Sequence, residues 1–223
     1  MAGRGKRFKD KGYSVPKPFL EVNGLKMFVR ALNSLTKLTF NNQVKLVILK
    51  EHKEYLIASN IDFKHIEIIQ IEEVTRGPAE SAYLALKQIN NNLPIIISDC
   101  DHEFQSAEFS QWLQNKDDDI DISCLTFKSD KKHFSYISYE NNKINGVVEK
   151  KVISHDAVAG VYYFKNLDIF KSAYLEYSRN ENGEVYLSGI LDNIVKNGGA
   201  MKTFLASKHH IFGTPEELNE HVN

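Results

Sequence analysis

The stretch VKLVILK at residues 44–50 is rich in β-branched residues and almost continuously apolar. Two runs of the same kind follow it, IEIIQI at residues 66–71 and PIIIS at residues 94–98. Such short runs are typical of strands that are buried on both faces of a parallel sheet. Residues 27–38 and 79–89 instead repeat apolar side chains at helical spacing. This alternation predicts right-handed βαβ units.

The second half of the chain has more closely spaced strand patterns. The pair Asn141-Asn142 predicts a hairpin turn between two of them. Near the end of the chain, Thr214, Pro215 and Glu217 form the pattern of a capping box at the start of a helix. The whole predicts an α/β, Rossmann-like fold in which helices flank a mixed, mainly parallel sheet. The predicted strands are residues 122–127, 135–139, 143–148, 158–164 and 202–206, and the predicted helices are residues 167–177 and 187–196.

Length and composition indicate one domain spanning residues 1–223. The formal net charge is -1 and charges of both signs are interspersed, which argues against a nucleic-acid partner. No apolar run has membrane length, and Met1 leads into glycines and charges, so we expect a cytoplasmic protein without a membrane partner. Cys100 and Cys124 lie in apolar runs, which favours reduced thiols over a disulfide or a zinc site.

A phosphate-binding loop is predicted at the start of the chain, where Gly3-Arg4-Gly5-Lys6-Arg7-Phe8 is followed by Pro16-Lys17-Pro18. Glycines let the main chain approach phosphates, and cationic side chains hold their charge. The loop alone would read as a solvated tail, but the nearby Pro-Lys-Pro triplet favours function. Arg7 would neutralise departing pyrophosphate, and Lys17 would reach the α-phosphate or the incoming phosphate.

Ser98-Asp99-Cys100-Asp101 follows the strand PIIIS, at the end where open α/β sheets bind ligands. Mg²⁺ needs only one or two carboxylates, because water and phosphate oxygens complete its octahedron. Asp99 is the better candidate ligand. For Asp101, a role in the site and a role as a helix cap are equally open.

Three other groups each have a structural and a functional interpretation. Gly77-Pro78-Ala79 opens a helix and suits either a plain turn or a loop on which a base lies. Glu149 and Lys150 form either a solvated charge pair or an acceptor site. Gly183-Glu184 precedes a helix carrying Asp192, which is either a second site acid or a solvated helix residue.

Taken in order, these segments resemble the sugar-phosphate nucleotidyltransferases, also called nucleotide-sugar pyrophosphorylases, over nearly the whole chain. The family's glycine loop, PK pair, small-residue loop and strand-end Asp all have counterparts here. Its Glu-Lys-Pro motif is matched with Lys151 in place of the proline. The remaining matches are Gly160 before the aromatic run at 161–164, and Gly213-Thr214-Pro215-Glu216-Glu217-Leu218 near the chain end.

The resemblance implies the nucleotide-diphospho-sugar transferase fold, with a nucleotide-binding half at about residues 1–120 and an acceptor-binding half at about 121–223. It implies nucleotidyl transfer from an NTP to a small phosphorylated acceptor with release of pyrophosphate, and Mg²⁺ as cofactor. The catalytic residues would be Arg7, Lys17 and Asp99, and the metal ligands Asp99 and Asp192. The nucleotide would contact Ala2, Gly3, Arg4, Gly5, Lys6, Arg7, Gly77, Pro78 and Ala79. The acceptor would contact Asp101, Glu149, Lys150, Gly160 and Glu184.

Three departures from the family pattern stand out. Relatives have a first strand ahead of the glycine loop, and this chain begins at Met1 without it. Gly189 stands where the family places a second metal-binding Asp, so Asp192 is the nearest substitute. Glu72 and Glu73 replace a Gln before the base loop, which leaves the base open.

Several activities therefore stay open. A sugar 1-phosphate is the first choice of acceptor, and phosphocholine with CTP, or another small phosphorylated non-sugar, is the rival. An inactive nucleotide-binding relative is a third possibility. A glycosyltransferase of the related fold, with Asp99 and Asp101 as its metal motif, is a fourth. A homo-oligomer is neither predicted nor excluded.

Overall fold

The chain divides into two units in the computed structural model, which describes residues 1–38, 43–61, 63–115 and 119–222. The first unit comprises Met1–Thr75, Asp99–Gln105 and Lys208–Asn223, and the second comprises Arg76–Ser98 and Ser106–Ser207. The units interleave along the sequence, so their bounds differ from the predicted halves. That the chain forms a single domain stays a prediction.

The described residues form helices and strands with bounds close to those predicted. The strands at residues 66–71 and 143–148 and the helix at residues 187–196 have the predicted bounds. The helices are α1 (Lys6–Asp10), α2 (Met27–Thr36), α3 (Lys53–Ile57), α4 (Pro78–Leu86), α5 (Ala107–Gln114), α6 (Leu167–Asn180), α7 (Leu187–Lys196) and α8 (Pro215–Asn219). The strands are β1 (Glu21–Val22), β2 (Leu25–Lys26), β3 (Val44–Leu49), β4 (Ile66–Ile71), β5 (Ile95–Ser98), β6 (His102–Gln105), β7 (Ile122–Lys128), β8 (Tyr136–Glu140), β9 (Lys143–Val148), β10 (Asp156–Phe164), β11 (Met201–Leu205) and β12 (Lys208–Ile211).

Within the first unit, β3 and β4 pair in parallel, and β6 and β12 pair antiparallel. Helix α2 has side chains in two apolar clusters, since Met27 packs with Phe8 and Phe212, and Phe28 packs with Phe19 and Ile48. Polar contacts add to this packing at Glu103 of β6, which accepts hydrogen bonds from Arg30 of α2 at 2.7 Å and from Lys208 of β12 at 3.0 Å. The C-terminal segment is thereby held against strand β6.

The second unit has a six-stranded sheet in which β5 also pairs with β10 and the remaining order is β11-β7-β10-β8-β9. Its core combines side chains of β7, β10 and helices α4, α6 and α7. Helix α6 begins at a side-chain cap, where Asn166 accepts a hydrogen bond from the Ile169 amide at 2.9 Å. Phe164, Phe170 and Ile190 are completely buried in this core.

The α/β class and the mixed sheet are confirmed. The parallel share of the strand pairs is smaller than the strand patterns predicted, because β3–β4 and β7–β11 are the parallel pairs among the described strands. The other pairs are antiparallel, as tight hairpins such as β8–β9 require. No helix within the described residues is both long and apolar enough to cross a membrane.

The predicted hairpin turn between β8 and β9 is confirmed. Asn141 and Asn142 have φ angles of 51° and 60°, the left-handed conformation that a two-residue type I′ turn requires at both positions. Asn23 and Gly24 adopt the same conformation between β1 and β2, with φ angles of 46° and 76°. The sequence signal for that second hairpin, an Asn-Gly pair, was not used in the prediction.

The predicted capping box of the last helix is also confirmed. The Thr214 hydroxyl accepts a hydrogen bond from the Glu217 amide at 3.2 Å, and the Glu217 carboxylate accepts one from the Thr214 amide at 3.0 Å. Pro215 occupies the first helical position. An N–H at that position has no acceptor within the helix, so the proline loses no hydrogen bond there. Two amides at the start of α8 are thereby satisfied.

Replacement of the capping residue tests this arrangement. We expect Thr214→Ala to lower the free energy of unfolding by about 1 kcal/mol, since it removes the acceptor of the Glu217 amide, and Thr214→Ser to restore most of the loss. Urea unfolding followed by circular dichroism measures the difference. Thr36→Ala, at the exposed end of α2, is the matched control. A loss in Thr214→Ala no larger than in this control would contradict the role of the cap.

Candidate functional site

The N-terminal loop folds back on Lys17. Gly5 has a φ of 58° and precedes α1, and its carbonyl accepts hydrogen bonds from the amides of Phe8 at 2.9 Å and Lys9 at 3.2 Å. A β-carbon built on Gly5 would lie 2.9 Å from the β-carbon of Lys17, whereas one built on Gly3 meets no described atom within 4 Å. Glycine at position 5 is thus required by backbone conformation and by this close approach.

The Lys17 ammonium binds two groups from distant parts of the first unit. It forms an ion pair and a hydrogen bond with the Asp101 carboxylate, and it donates a second hydrogen bond to the Gly213 carbonyl at 3.1 Å. The Phe212 amide donates to the Asp101 carbonyl at 2.7 Å, which fixes the C-terminal segment beside the acid. The side chains of Lys17 and Asp101 are only 17% and 22% exposed.

This pair controls the ionisation of Asp101. Burial by itself would raise the pKa of the carboxyl, but the neighbouring Lys17 ammonium outweighs burial and lowers the pKa to about 2. Asp101 is therefore an anion at neutral pH. Asp101 makes a long-range ion pair, and the following helix α5 is capped by Ser106. The role of Asp101 in the site stays a prediction.

The other predicted residues of the first unit differ in exposure. Lys6 and Arg7 lie on the solvent side of α1, while Ala2 is buried. Arg4 is close to Glu51, with its Nε 3.4 Å from a carboxylate oxygen, and more than half of each side chain is exposed. Asp99 is half-buried. Ion pairs of this exposed kind are weak, so the cations near Gly3 can be drawn to a ligand at little cost.

Both cysteines have free thiols, and burial raises the pKa of each. Cys124 lies in the core of the second unit, and Cys100 packs with the apolar cluster that contains Phe19 and Ile48. A buried thiol with a raised pKa is a poor nucleophile. The cysteines are therefore packing residues.

In the second unit, the predicted base loop packs against Val185. The Val185 amide donates to the Arg76 carbonyl at 2.8 Å, and the Ala79 amide donates to the Val185 carbonyl at 3.2 Å. A β-carbon built on Gly77 would lie 2.8 Å from the Val185 nitrogen, and Ala79 is fully buried. Packing explains the small residues in this loop, with Pro78 at the first position of α4. Contact with a nucleotide base stays a prediction.

Glu149 and Lys150 have different hydrogen-bond partners. The Glu149 carboxylate accepts hydrogen bonds from the hydroxyls of Ser135 and Ser188, the latter at 2.6 Å. The Lys150 ammonium lies 4.2 Å from the centre of the Tyr186 ring and donates to the Tyr186 hydroxyl. That hydroxyl in turn donates to the Glu184 carboxylate. The solvated-pair interpretation of Glu149 and Lys150 therefore understates their contacts.

Gly160 and Asp192 have structural roles. Gly160 has a φ of 73° within a β-bulge of β10, where the register with β7 shifts between Val158 and Tyr162. Asp192 accepts a hydrogen bond from the Val147 amide at 3.0 Å and another from Lys196 at 2.5 Å. The bond to Val147 attaches α7 to β9, and the bond to Lys196 lies within α7. These bonds give Asp192 a structural use, and its role as a metal ligand stays a prediction.

Gly189 stands at the position where the family has its second metal-binding acid. A β-carbon built on it would overlap the Tyr177 ring, so the space that an Asp side chain would need is filled. Among the residues that the structure describes, no cluster of three or more His, Cys, Asp or Glu side chains could hold a metal ion.

Sequence reasoning missed the partners of the predicted residues. Gly213 was quoted only as part of a terminal motif, yet its carbonyl binds Lys17. Tyr186 lies two residues after Glu184 and was not assigned a role, although it contacts both Lys150 and Glu184. Gly213 and Tyr186 each lie close to a recognised motif, which was the available signal. The sequence alone does not show which side chain each of them contacts.

The ion pair generates a prediction on pH. The folded pKa of Asp101 lies below its usual 3.8, so its contribution to stability is fully present above about pH 4 and is lost as the pH falls through about 2. Above pH 4 we expect Asp101→Asn to be less stable than the unsubstituted protein by about 2 kcal/mol. Urea unfolding at a series of pH values should show this gap closing towards pH 2. A gap that is constant from pH 5 to pH 2 would contradict the assigned pair.

Comparison with known proteins places these motifs in a family. The MobA-like NTP transferase domain matches residues 1–145. The chain is 28% identical over 236 aligned residues to the bifunctional protein GlmU of Methanococcus aeolicus, covering 99% of this chain and 53% of that protein. It is 35% identical over 118 residues to the bifunctional enzyme IspD/IspF of Pelagibacter ubique, covering 51% and 28%. The chain thus spans about half the length of the first relative and less of the second.

Solved structures support the same fold. The nucleoside-diphosphate-sugar pyrophosphorylase from Vibrio cholerae RC9 has a TM-score of 0.83 at 22% identity, covering 100% of this chain and 97% of that one. The inositol-1-phosphate CTP transferase from T. maritima has a TM-score of 0.76 at 19% identity, covering 100% and 95%. These similarities confirm the predicted nucleotide-diphospho-sugar transferase fold. Because the family match covers more than half of its residues, the chain belongs to the MobA-like NTP transferase domain family.

Proposed function

We propose that this chain transfers a nucleotidyl group from an NTP to a phosphorylated acceptor and releases pyrophosphate. The observation that carries the proposal is the Lys17 ammonium, which Asp101 and the Gly213 carbonyl hold in one place beside the glycine loop. A fixed cation beside glycines that leave the backbone accessible is what phosphoryl chemistry needs, because catalysis there is mostly positioning and charge neutralisation. Family membership supports the same activity.

The charge around the loop suits a triphosphate. Six cationic residues stand in the first seventeen positions against the single acid Asp10, although the whole chain has a net charge of -1. Arg7 is exposed on α1 and is proposed to neutralise the leaving pyrophosphate. Lys17 is proposed to bind the α-phosphate. The open space beside Gly3 supports a close approach of phosphate to the backbone. The cations are Arg4, Lys6, Arg7, Lys9, Lys11 and Lys17.

The carboxylates of Asp101 and Asp99 are suited to Mg²⁺. Asp101 is ionised at neutral pH, and Lys17 engages one of its two oxygens. Mg²⁺ requires only one or two protein carboxylates when phosphate oxygens and water complete its coordination, so this donor set is sufficient. When bound, the ion would neutralise charge on the phosphates. We propose Asp101 as the principal ligand and Asp99 as an auxiliary one, which reverses their predicted ranking.

The acceptor is proposed to be a sugar 1-phosphate bound by the second unit. Lys150 would bind its phosphate. The hydroxyls of Ser135 and Ser188 donate hydrogen bonds to Glu149 and thereby orient its carboxylate. CTP with a small phosphorylated non-sugar is the second candidate, supported by the fold likeness to the inositol-1-phosphate CTP transferase. A glycosyltransferase with a metal motif at Asp99 and Asp101 is not adopted, because the cations of the glycine loop and Lys17 suit a triphosphate and departing pyrophosphate.

A pyrophosphate-release assay tests the proposed activity. CTP, GTP, UTP and dTTP would each be paired with sugar 1-phosphates, phosphocholine and other small phosphorylated alcohols in the presence of Mg²⁺. We expect turnover with at least one pair and none without an acceptor. Absence of turnover with every pair, in a protein that binds NTP, would overturn the proposal in favour of an inactive nucleotide-binding relative.

Replacement of the cations tests their roles. We expect Lys17→Met and Arg7→Ala each to lower turnover about a hundredfold or more, since each removes a cation that stabilises developing charge. Lys9→Ala, an exposed cation on the same helix, is the matched control and should keep turnover within about twofold of the parent.

Stability must be separated from catalysis in the Lys17 variant. Lys17→Met leaves the Asp101 carboxylate without its ammonium partner, so the double variant Lys17→Met/Asp101→Asn should regain stability without regaining turnover. Thermal melting reports the first property and pyrophosphate release the second. Near-parental turnover in Lys17→Met would remove Lys17 from the mechanism.

A further inference from the structure

Lys150 occupies a backbone conformation that side-chain-bearing residues seldom adopt. Its φ is 54°, and its amide donates a hydrogen bond to the Phe134 carbonyl at 3.0 Å. Left-handed conformations of non-glycine residues cluster at functional sites, because the surrounding structure must hold them there. The backbone therefore fixes the direction in which the Lys150 side chain leaves the end of β9.

Tyr186 fixes the other end of the Lys150 side chain. The ammonium lies 4.2 Å from the centre of the Tyr186 ring and donates a hydrogen bond to the ring hydroxyl. The attraction of a cation to an aromatic face and a hydrogen bond thus act on the same ammonium. Tyr186 directly precedes α7 and its backbone caps that helix, so the ring is presented from an ordered position.

Glu184 orients the Tyr186 hydroxyl. The hydroxyl donates its only proton to the Glu184 carboxylate, so its lone pairs are left to accept from Lys150. The three side chains form a chain of contacts from Lys150 through Tyr186 to Glu184. The ammonium has three N–H donors, and the hydroxyl takes one of them. The Glu149 carboxylate is 4.0 Å away, which is beyond hydrogen-bond distance.

A purely stabilising role does not account for this arrangement. The Lys150 side chain is 44% exposed, and polar contacts at such exposure contribute little to the free energy of unfolding. Yet a disfavoured backbone conformation, an aromatic ring and an oriented hydroxyl all serve to hold one ammonium in place. An ammonium that is held with donors to spare is suited to bind an anion.

We propose that Tyr186 is the positioning residue of the acceptor site and holds Lys150 ready for the acceptor's phosphate. This inference rests on the proposed function, in which Lys150 binds that phosphate. The ring keeps the ammonium from swinging into solvent, and the hydroxyl sets the direction of its remaining N–H donors. Tyr186 does not touch the reacting atoms, so it acts on acceptor binding and leaves the NTP unaffected.

Two variants separate the ring from the hydroxyl. Tyr186→Phe keeps the ring and removes the hydrogen bonds, and we expect the KM for the acceptor to rise about 3-fold. Tyr186→Leu removes both, and we expect a rise of about 10-fold or more. In both variants the KM for the NTP and kcat should stay within about twofold of the parent. Tyr139→Phe is the matched control, because its hydroxyl also donates to a carboxylate, that of Asp156, at 2.9 Å.

An NMR measurement reads the same contact without activity. Protons of the Lys150 ε-methylene, assigned by their loss in Lys150→Met, should resonate upfield in the unsubstituted protein because of the Tyr186 ring. The upfield shift should persist in Tyr186→Phe and disappear in Tyr186→Leu. An unshifted resonance in the unsubstituted protein would overturn the positioning role.

The outcomes distinguish the inference from the function on which it rests. If the unsubstituted protein turns over no NTP and acceptor pair, the proposed function fails and the inference fails with it. If it is active and Tyr186→Leu keeps the parental acceptor KM, the inference alone is overturned. A rise in the acceptor KM with an unchanged NTP KM supports both.

Discussion

The ion pair between Lys17 and Asp101 is the interaction on which the first unit depends. One ammonium joins the segment after the glycine loop, the acid that follows β5, and the Gly213 carbonyl near the end of the chain. Two opposite charges of low exposure stabilise a structure only while both are present, because either one alone is a desolvated charge without a partner. The same pair keeps Asp101 ionised. The Lys17–Asp101 ion pair therefore both connects distant segments of the first unit and sets the charge of the proposed phosphate site.

The glycines of the motifs are required for different physical reasons. Gly5 is required because its backbone is left-handed and approaches Lys17, whereas Gly77 is required because its loop packs on Val185. Gly189 makes room for the Tyr177 ring. In each case a side chain or a backbone of the same unit meets the missing β-carbon. Gly3 differs, since the described fold has room there. Among these glycines, Gly3 is the one that the packing of the chain leaves open for the proposed contact with phosphate.

Local features were predictable and long-range partners were not. The apolar runs, the Asn141-Asn142 turn and the Thr214 capping box depend on neighbours within a few residues, so the sequence was sufficient to place them. The pairing of β6 with β12 was missed because each strand has only four residues, three of them polar, without apolar alternation. Asp192 was recognised as an acid on the correct helix, but its bond to the Val147 amide crosses 45 residues. The position of an acid can be predicted from sequence, whereas its partner is decided by packing.

The separation of Lys17 from Gly213 has a consequence for biosynthesis. The hydrogen bond between them spans 196 positions, and the β6–β12 pairing spans more than a hundred. A ribosome adds about 5–20 residues per second, so residues 1–75 are outside the ribosome for many seconds before residue 213 exists. During that interval Lys17 lacks its carbonyl partner and Phe8 lacks Phe212. The N-terminal loop reaches its final form only after residue 213 has been made, so a nascent chain that has not reached residue 213 cannot hold a triphosphate in the way proposed for the folded chain.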